Sequence, residues 1–185
     1  MSHRLSHNIP GHAHFLTFSC YQRQKFLIDD LVCSTLAVAI DTAREVENFN
    51  LWAYVFMPEH VHLLIHPRRE DYMIAKILRR IKEPVSREVL TRWREFDPER
   101  MRLTQDTTHG PVMHRFWQPS GGFDRNVHQT EVISKAIDYI EWNPVRRGLV
   151  TDPIGWRWSS ARARAGLAGA ALGIDEVSWE LNGPV

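Results

Sequence analysis

The sequence predicts a single α+β domain built on an antiparallel sheet. Segments with strand-like patterning alternate with amphipathic segments of helical period, in the order strand, helix, strand, strand, helix, strand, helix. Two of the strand-like runs are separated only by a short turn, which indicates a hairpin and therefore antiparallel pairing. At 185 residues the chain is long enough for one domain with its own core. These observations favour a ferredoxin-like (RRM-like) fold, with the helices packed on one face of the sheet.

The first half of the chain shows two changes of hydrophobic period. Residues 13–21 carry the aromatic and β-branched side chains that are typical of a strand. From Asp29 to Val46 apolar residues recur every three to four positions, which predicts a helix with an acidic start. A Pro-Glu turn then separates two strongly apolar runs, and these predict the strands of the hairpin at 51–57 and 60–66.

The second half repeats the alternation less regularly. A second helix is expected to start at about Tyr72, with one apolar and one basic face, and Pro84 is expected to kink or divide it. Short strands are expected at 112–118 and 122–127, on either side of a Pro-Ser-Gly-Gly turn. A third helix follows and carries one of the candidate functional residues.

Composition divides the chain into three parts. Residues 1–12 are polar and contain Pro and Gly, which predicts a flexible N-terminal arm; residues 13–150 form the folded domain, and residues 151–185 form an irregular C-terminal tail rich in Arg and Trp. The tail tryptophans are interpreted as packing residues. No apolar run is long enough to span a bilayer and no secretory signal is evident, so we expect a cytoplasmic protein with no membrane partner.

The formal net charge is only +1, but the residues that produce it are informative. Of the 23 basic residues only four are lysine, and the others are arginine. Arginine pairs with phosphate through two parallel hydrogen bonds and stacks on bases, which favours a nucleic-acid partner. The codon usage of a GC-rich genome would produce the same bias.

Two histidines in the second strand of the hairpin form a candidate metal site. His60 and His62 lie two residues apart and therefore point to the same face of the strand, while the intervening apolar residues point to the core. A divalent ion needs at least a third ligand, and Glu59 is either a ligand or an orienting group. Among ten histidines this spacing can also arise without a role. A histidine-triad hydrolase would need a further histidine where Leu64 stands.

The third helix carries a candidate nucleophile. It is expected to run from Thr130, as its N-cap, to Asn143, where Pro144 interrupts it. Tyr139 lies at the edge of the apolar stripe, and Asn143 lies one turn further on. A phenol can attack a phosphodiester when a metal ion stabilises the developing charge. Alternatively Tyr139 is a packing residue with a solvated hydroxyl, and Asn143 is a helix terminator.

Two segments resemble a known group of enzymes. YVFMPEHVHLLIHP (54–67) resembles the metal-binding segment of HUH endonucleases, and DYIEWNPVRRGLV (138–150) resembles the Tyr-Ile-x-x-Asn-Pro-Val segment of REP-associated tyrosine transposases (RAYTs). RFWQ (115–118) and GWRWSS (155–160) are also similar to that family. The resemblance covers residues 14–160, with the motifs in the family's order.

The resemblance implies that residues 13–150 are the catalytic domain of a single-tyrosine HUH transposase, an endonuclease and strand transferase. Tyr139 would be the nucleophile, and His60, His62 and Asn143 would bind Mg²⁺ or Mn²⁺. The substrate would be single-stranded DNA beside an imperfect palindromic hairpin. Cleavage would leave a 5′-phosphotyrosine and a free 3′-hydroxyl, and attack by another 3′-hydroxyl would join strands.

Basic residues with aromatic neighbours suit the binding of unpaired DNA, although a basic helix face can also simply be solvated. The candidate DNA-binding residues are Arg79, Arg80, Lys82, Arg146 and Arg147.

The sequence leaves the oligomeric state open between a monomer and a homodimer. It also leaves two other functions open: a catalytically silent regulator that binds hairpin DNA, and a metal-dependent nucleotide hydrolase.

Overall fold

The structure is a computed structural model that describes residues 8–108, 110–119 and 122–177. Its centre is a four-stranded antiparallel sheet with the order β2-β3-β1-β6, and a separate two-stranded sheet pairs β4 with β5. The strands are β1 (Ala13–Ser19), β2 (Phe49–Met57), β3 (His60–Pro67), β4 (Gln105–Asp106), β5 (Met113–His114) and β6 (Phe123–Val127).

Two long helices and one shorter amphipathic helix accompany the sheet. The helices are α1 (Asp30–Glu47), α2 (Ile74–Phe96), α3 (Pro98–Arg102), α4 (Thr130–Glu141), α5 (Asn143–Arg146) and α6 (Ala161–Arg164). The order β1-α1-β2-β3-α2-β6 and the strand order of the sheet are those of a ferredoxin-like fold, so the predicted fold class is confirmed.

The first face of the sheet carries the main core. Val61, Leu63 and Ile65 of β3 pack on this face with the apolar stripes of α1 and α2, as the alternation along the strand predicts. The start of α1 is also as predicted, since the Asp29 side chain accepts a hydrogen bond from the Leu31 backbone N–H at 2.9 Å.

The second face of the sheet is partly covered by α4, which differs from the expectation that the helices all lie on one face. Ile133, Ile137 and Ile140 of α4 pack against Val55 and Leu64 in a second core cluster. The reason is visible in β2, which is apolar at both odd and even positions and therefore has two faces to bury. The two helices of the ferredoxin-like motif do share one face, and α4 is an addition on the other.

The structure differs from the sequence-based expectations in three local details. α2 continues through Pro84 without being divided, because apolar residues before and after it, such as Ile81 and Val85, hold both halves against the same core. Thr130 is the first residue of α4 and not its N-cap, which is Gln129, whose backbone is extended. The strand expected at 112–118 is limited to Met113–His114, which pairs with β4, while β6 pairs with β1.

The described part of the tail packs along the free edge of β2. The backbones of Trp158 and Ser160 hydrogen-bond to Phe56 and Tyr54 at 2.8 and 2.9 Å, so this edge is not left open for another strand. Trp158 enters the main core, which confirms its interpretation as a packing residue. In the described residues no helix combines the length and the apolar character that a membrane span requires.

Candidate active site

The second face of the sheet presents the two histidines of β3. His60 and His62 are both buried, and their Nε2 atoms lie 3.1 Å apart. Because β1 pairs with β3 in a register that puts Thr17 opposite His62, the Thr17 hydroxyl oxygen lies 2.7 Å from His62 Nδ1. The two Nε2 atoms therefore face a common point, and each ring is held from its Nδ1 side.

Glu59 is the group that holds His60. Its Oε1 atom accepts hydrogen bonds from His60 Nδ1 at 3.0 Å, from Arg147 Nη1 at 3.1 Å and from Arg23 Nη2 at 3.2 Å. Burial alone would raise the pKa of this carboxyl, but the neighbouring His60 and Arg147 outweigh it and lower the pKa below its ordinary value. An ionised Glu59 that accepts from Nδ1–H leaves the Nε2 lone pair of His60 free, and this geometry favours an orienting group over a ligand.

Both imidazoles are kept neutral by their surroundings. Burial, with the adjacent His60 ring, lowers the pKa of His62 to about 3. Burial also lowers the pKa of His60, although Glu59 opposes the shift. Neutral imidazole is the form that binds metal ions, so the pair is ready to act as ligands at neutral pH.

Tyr139 lies beside this pair. Its ring centroid is 5.5 Å from that of His62, with an interplanar angle of 72°, and it also packs edge-on against Phe15. The apolar stripe of α4 fixes the helix on β2 and β3, which leaves Tyr139 at the margin of the covered area. With 43% of its surface exposed, the side chain is held in place yet open to a substrate.

Asn143 is one helical turn beyond Tyr139. The chain continues in right-handed helical conformation through Trp142 into α5, so residues 139 and 143 stay on the same side. Asn143 is only 6% exposed. Its side chain is therefore buried, in contrast to the partly exposed Tyr139 one turn earlier.

The spacing of the two imidazole nitrogens is compatible with two adjacent ligand positions of an octahedral divalent ion. Two nitrogens 3.1 Å apart can both contact an ion at about 2.1 Å only at nearly a right angle, which is the angle between adjacent octahedral ligands. No cluster of three or more His, Cys, Asp or Glu residues suited to a metal occurs in the described ranges. Leu64, where a histidine triad would continue, is buried in the second core cluster.

The basic residues singled out from the sequence separate into two groups. The Arg146 guanidinium lies 5.2 Å from the Tyr139 ring centroid, and Arg147 binds Glu59, so both are at the candidate site. The other three lie on α2, which packs against the opposite face of the sheet. There Arg79 pairs with Glu83, Arg80 pairs with the buried Glu47, and Lys82 lies over the Phe18 ring.

Four residues that sequence reasoning missed also belong to this region. Phe15, Phe123, Arg125 and Lys135 line an open groove of about 580 Å³, and Tyr139 and His62 line the same groove. One signal was available in the sequence, since Phe123, Arg125 and Val127 alternate along a short strand and must share a face.

Comparison with known proteins gives a consistent result. A family model described as "Transposase IS200 like" matches residues 10–141. A Haemophilus influenzae protein, named as a candidate REP-associated tyrosine transposase, is 25% identical over 150 residues, which cover 81% of this chain and 80% of that protein. An Escherichia coli REP-associated tyrosine transposase is 25% identical over 180 residues, covering 97% and 91% of the two chains.

The fold is also found in a solved structure, that of a REP-associated tyrosine transposase bound to a REP hairpin. The two chains superpose with a TM-score of 0.70 at 22% identity, over 100% of this chain and 99% of the other. Together with the family model and the two relatives, this likeness confirms the resemblance seen in the motifs, and the chain belongs to the family of IS200-like transposases.

Proposed function

We propose that this transposase is a metal-dependent transesterase that cleaves and rejoins single-stranded DNA beside imperfect palindromic hairpins through a 5′-phosphotyrosine. The observation that carries the proposal is the contact between Tyr139 and His62, whose ring centroids are 5.5 Å apart within one chain. A half-exposed phenol beside two neutral imidazoles combines a nucleophile with ligands for the ion that phosphoryl transfer needs.

In the proposed reaction the Tyr139 hydroxyl oxygen attacks the phosphorus of a phosphodiester. The phosphorus–oxygen bond to the 3′ carbon breaks, the phenol loses its proton, and the leaving 3′ oxygen gains one. The products are a 5′-phosphotyrosine and a free 3′-hydroxyl, and attack by the 3′-hydroxyl of another strand reverses the step and joins the strands. Mg²⁺ or Mn²⁺, held by His60, His62 and Asn143, would polarise the phosphoryl oxygen.

The chain's own residues prepare this step. Glu59 and Thr17 hold the two imidazoles from their Nδ1 sides at 3.0 and 2.7 Å. Arg146 lies over the Tyr139 ring and makes no ion pair with a carboxylate of the described residues, so its guanidinium is available to a phosphate oxygen. The proposed nucleophile thus lies next to one imidazole of the histidine pair and next to a cation.

The hairpin substrate is inferred from the relatives. Two of them are named REP-associated transposases, and the solved neighbour is bound to a REP hairpin. We infer that this chain binds the same class of DNA, with Arg79, Arg80 and Lys82 as candidate contacts to the hairpin backbone. Because Tyr139 and His62 meet within one chain, a monomer would suffice for cleavage. A DNA substrate is also consistent with a cytoplasmic location.

The test is covalent capture of a labelled hairpin oligonucleotide with a single-stranded flank, in Mn²⁺. We expect a denaturation-resistant adduct with the native protein and none with Tyr139→Phe, which should still bind the hairpin. Trp142→Phe, at an exposed aromatic residue of the same helix end, is the matched control and should form the adduct. An adduct with Tyr139→Phe would refute the nucleophile.

Covalent capture, combined with measurements of hairpin binding and of dinucleotide hydrolysis, separates the alternative functions. Tight hairpin binding with no adduct in Mn²⁺ would indicate a silent regulator, and hydrolysis of free dinucleotides without action on DNA would indicate a nucleotide hydrolase. Chelation of divalent ions by EDTA should abolish the adduct, and its persistence would refute the metal requirement.

A further inference from the structure

We propose that the groove between β6 and α4 is a binding site for unpaired nucleotides that flank the phosphate attacked by Tyr139. The groove holds about 580 Å³ and is lined by Phe15, Phe123, Arg125 and Lys135 along its length. Tyr139 and His62 also line this groove. The position of the scissile phosphate rests on the proposed function, but binding of a single strand in the groove can be tested without it.

Strand register brings the lining residues of the sheet onto one face. Phe15 is directly opposite Arg125, and Thr17 is directly opposite Phe123, in the antiparallel pairing of β1 with β6. On the other side of β1, Thr17 is opposite His62. Directly opposed residues of an antiparallel pair have Cβ atoms about 5 Å apart, so the groove floor continues from the histidine across to the edge strand.

The aromatic rings form a continuous surface. The ring centroids of Phe15 and Phe123 are 6.1 Å apart, and Phe15 is also in contact with His62 and Tyr139 at 5.4 and 5.9 Å. Phe123 is 42% exposed although it lies on a sheet face. An exposed phenylalanine beside an open groove offers a flat apolar surface, which is what an unpaired base requires for stacking.

Two basic side chains line opposite walls of the groove and are not engaged in salt bridges with the described carboxylates. Arg125 on β6 and Lys135 on α4 are exposed, and neither forms a salt bridge with a described carboxylate. Several other basic residues of the fold are paired, for example Arg80 with Glu47 and Arg115 with Asp106. Free cations on both walls of an aromatic-floored groove match a backbone of phosphates with bases turned toward the floor.

The combination favours a single strand over a duplex. In a duplex the base faces are already stacked on their neighbours, so Phe15 and Phe123 could not take part, whereas unpaired bases can turn onto them. A site of this volume is the size of a small-ligand pocket, so it fits a short run of nucleotides beside the nucleophile.

The experiment measures equilibrium binding of a fluorescein-labelled oligothymidylate of about twelve nucleotides, which suits the length of known single-strand sites. All proteins carry Tyr139→Phe and the buffer contains EDTA, so neither the phenol nor a metal contributes. The groove variants are Phe123→Ala, Arg125→Ala and Lys135→Ala. The matched controls are Phe96→Ala and Arg94→Ala at the exposed end of α2, on the other side of the sheet.

We expect Phe123→Ala to weaken binding by about 5- to 160-fold, which corresponds to the 1–3 kcal/mol typical of losing one base-stacking residue. Arg125→Ala and Lys135→Ala should each lower the slope of log affinity against log salt by about 0.7, the value for one phosphate contact on a single strand. A structural role would not change this slope. The controls should bind as the Tyr139→Phe parent does.

Three outcomes would overturn the site. The first is unchanged affinity and unchanged salt slope in the groove variants. The second is an equal loss of affinity for a duplex of the same length, since stacking on Phe123 is specific to unpaired bases. The third comes from photocrosslinking: a 5-iodouracil in the oligonucleotide should attach to the peptides of Phe15 or Phe123, and attachment only elsewhere contradicts the groove.

The two proposals can fail separately. If Tyr139→Phe still forms the covalent adduct but the groove variants lose single-strand binding, the nucleophile is wrong and the groove stands. If adduct formation depends on Tyr139 while the groove variants bind as the controls do, the proposed reaction stands and the flanking nucleotides lie elsewhere.

Discussion

Replacement of Glu59 tests whether the carboxylate beside the histidines orients a metal ligand or only stabilises the fold. In Glu59→Gln the side chain keeps its size and loses its charge. We expect Mn²⁺ affinity to fall by about 10- to 100-fold, the effect of removing a group that orients a ligating histidine. The reason is that the ionised carboxylate holds the Nδ1–H of His60 and thereby directs its Nε2 atom toward His62.

The expected loss of stability is smaller than the three hydrogen bonds to Glu59 suggest. A hydrogen bond to a charged group contributes about 1.5–3 kcal/mol, but the side chains of Arg23 and Arg147 are 64% and 49% exposed and regain water when the carboxylate is lost. We therefore expect the free energy of unfolding to fall by about 1–2 kcal/mol. The variant should fold and bind a hairpin.

The assay pairs isothermal titration with Mn²⁺ and urea unfolding, both on protein without DNA. Glu99→Gln is the matched control, because Glu99 forms an ion pair with Arg102 in which both side chains are largely exposed. It should change neither quantity appreciably. If Glu59→Gln lowers the unfolding free energy but leaves Mn²⁺ affinity within twofold of the native value, the carboxylate is structural and the reasoning fails.

Two further predictions concern stability. Gly122→Ala should lower the free energy of unfolding more than Gly148→Ala does. Both glycines have positive φ, but only at Gly122 would the added Cβ meet the backbone carbonyl of Thr17 in β1. We expect a loss of at least about 1–3 kcal/mol for Gly122→Ala in urea unfolding, and equal losses for the two variants would contradict the close approach. The stabilisation from Glu47 should be lost as pH falls below the carboxyl's ordinary pKa: burial opposes ionisation, but Arg80 and Lys76 prevail and depress the folded-state pKa. Glu47→Gln should therefore be less stable than the native protein at pH 7 and approach it in acid, and a constant difference across pH would refute the assignment.

The parts of the fold that could be predicted are those recorded in local periodicity. The strand at 60–67 alternates between histidines and apolar residues, so its two faces follow from the sequence alone. The helix that carries Tyr139 has a strong apolar stripe, which predicts both the helix and the marginal position of the tyrosine. Such patterns extend over many residues and are not easily altered by tertiary contacts.

The missed features depend on contacts between distant segments. β4 and β5 have two residues each, too few for any period to be recognised. That Glu59 is shared between Arg23 and Arg147 follows from the docking of the end of α5 against the β2–β3 turn, which no local pattern encodes. The position of α4 on the second face could have been expected, because β2 is apolar at both parities.

The location of the candidate site follows from how the second face of the sheet is covered. The apolar stripe of α4 packs on β2 and β3 and reaches Ala13 and Val127, whereas the part of that face around Phe15, Phe123 and Arg125 lines an open groove. A side chain at the boundary is fixed by the packed helix on one side and reachable from the groove on the other. Tyr139 occupies this boundary beside His62, so the packing that gives α4 its stability also determines where a DNA strand could meet the nucleophile.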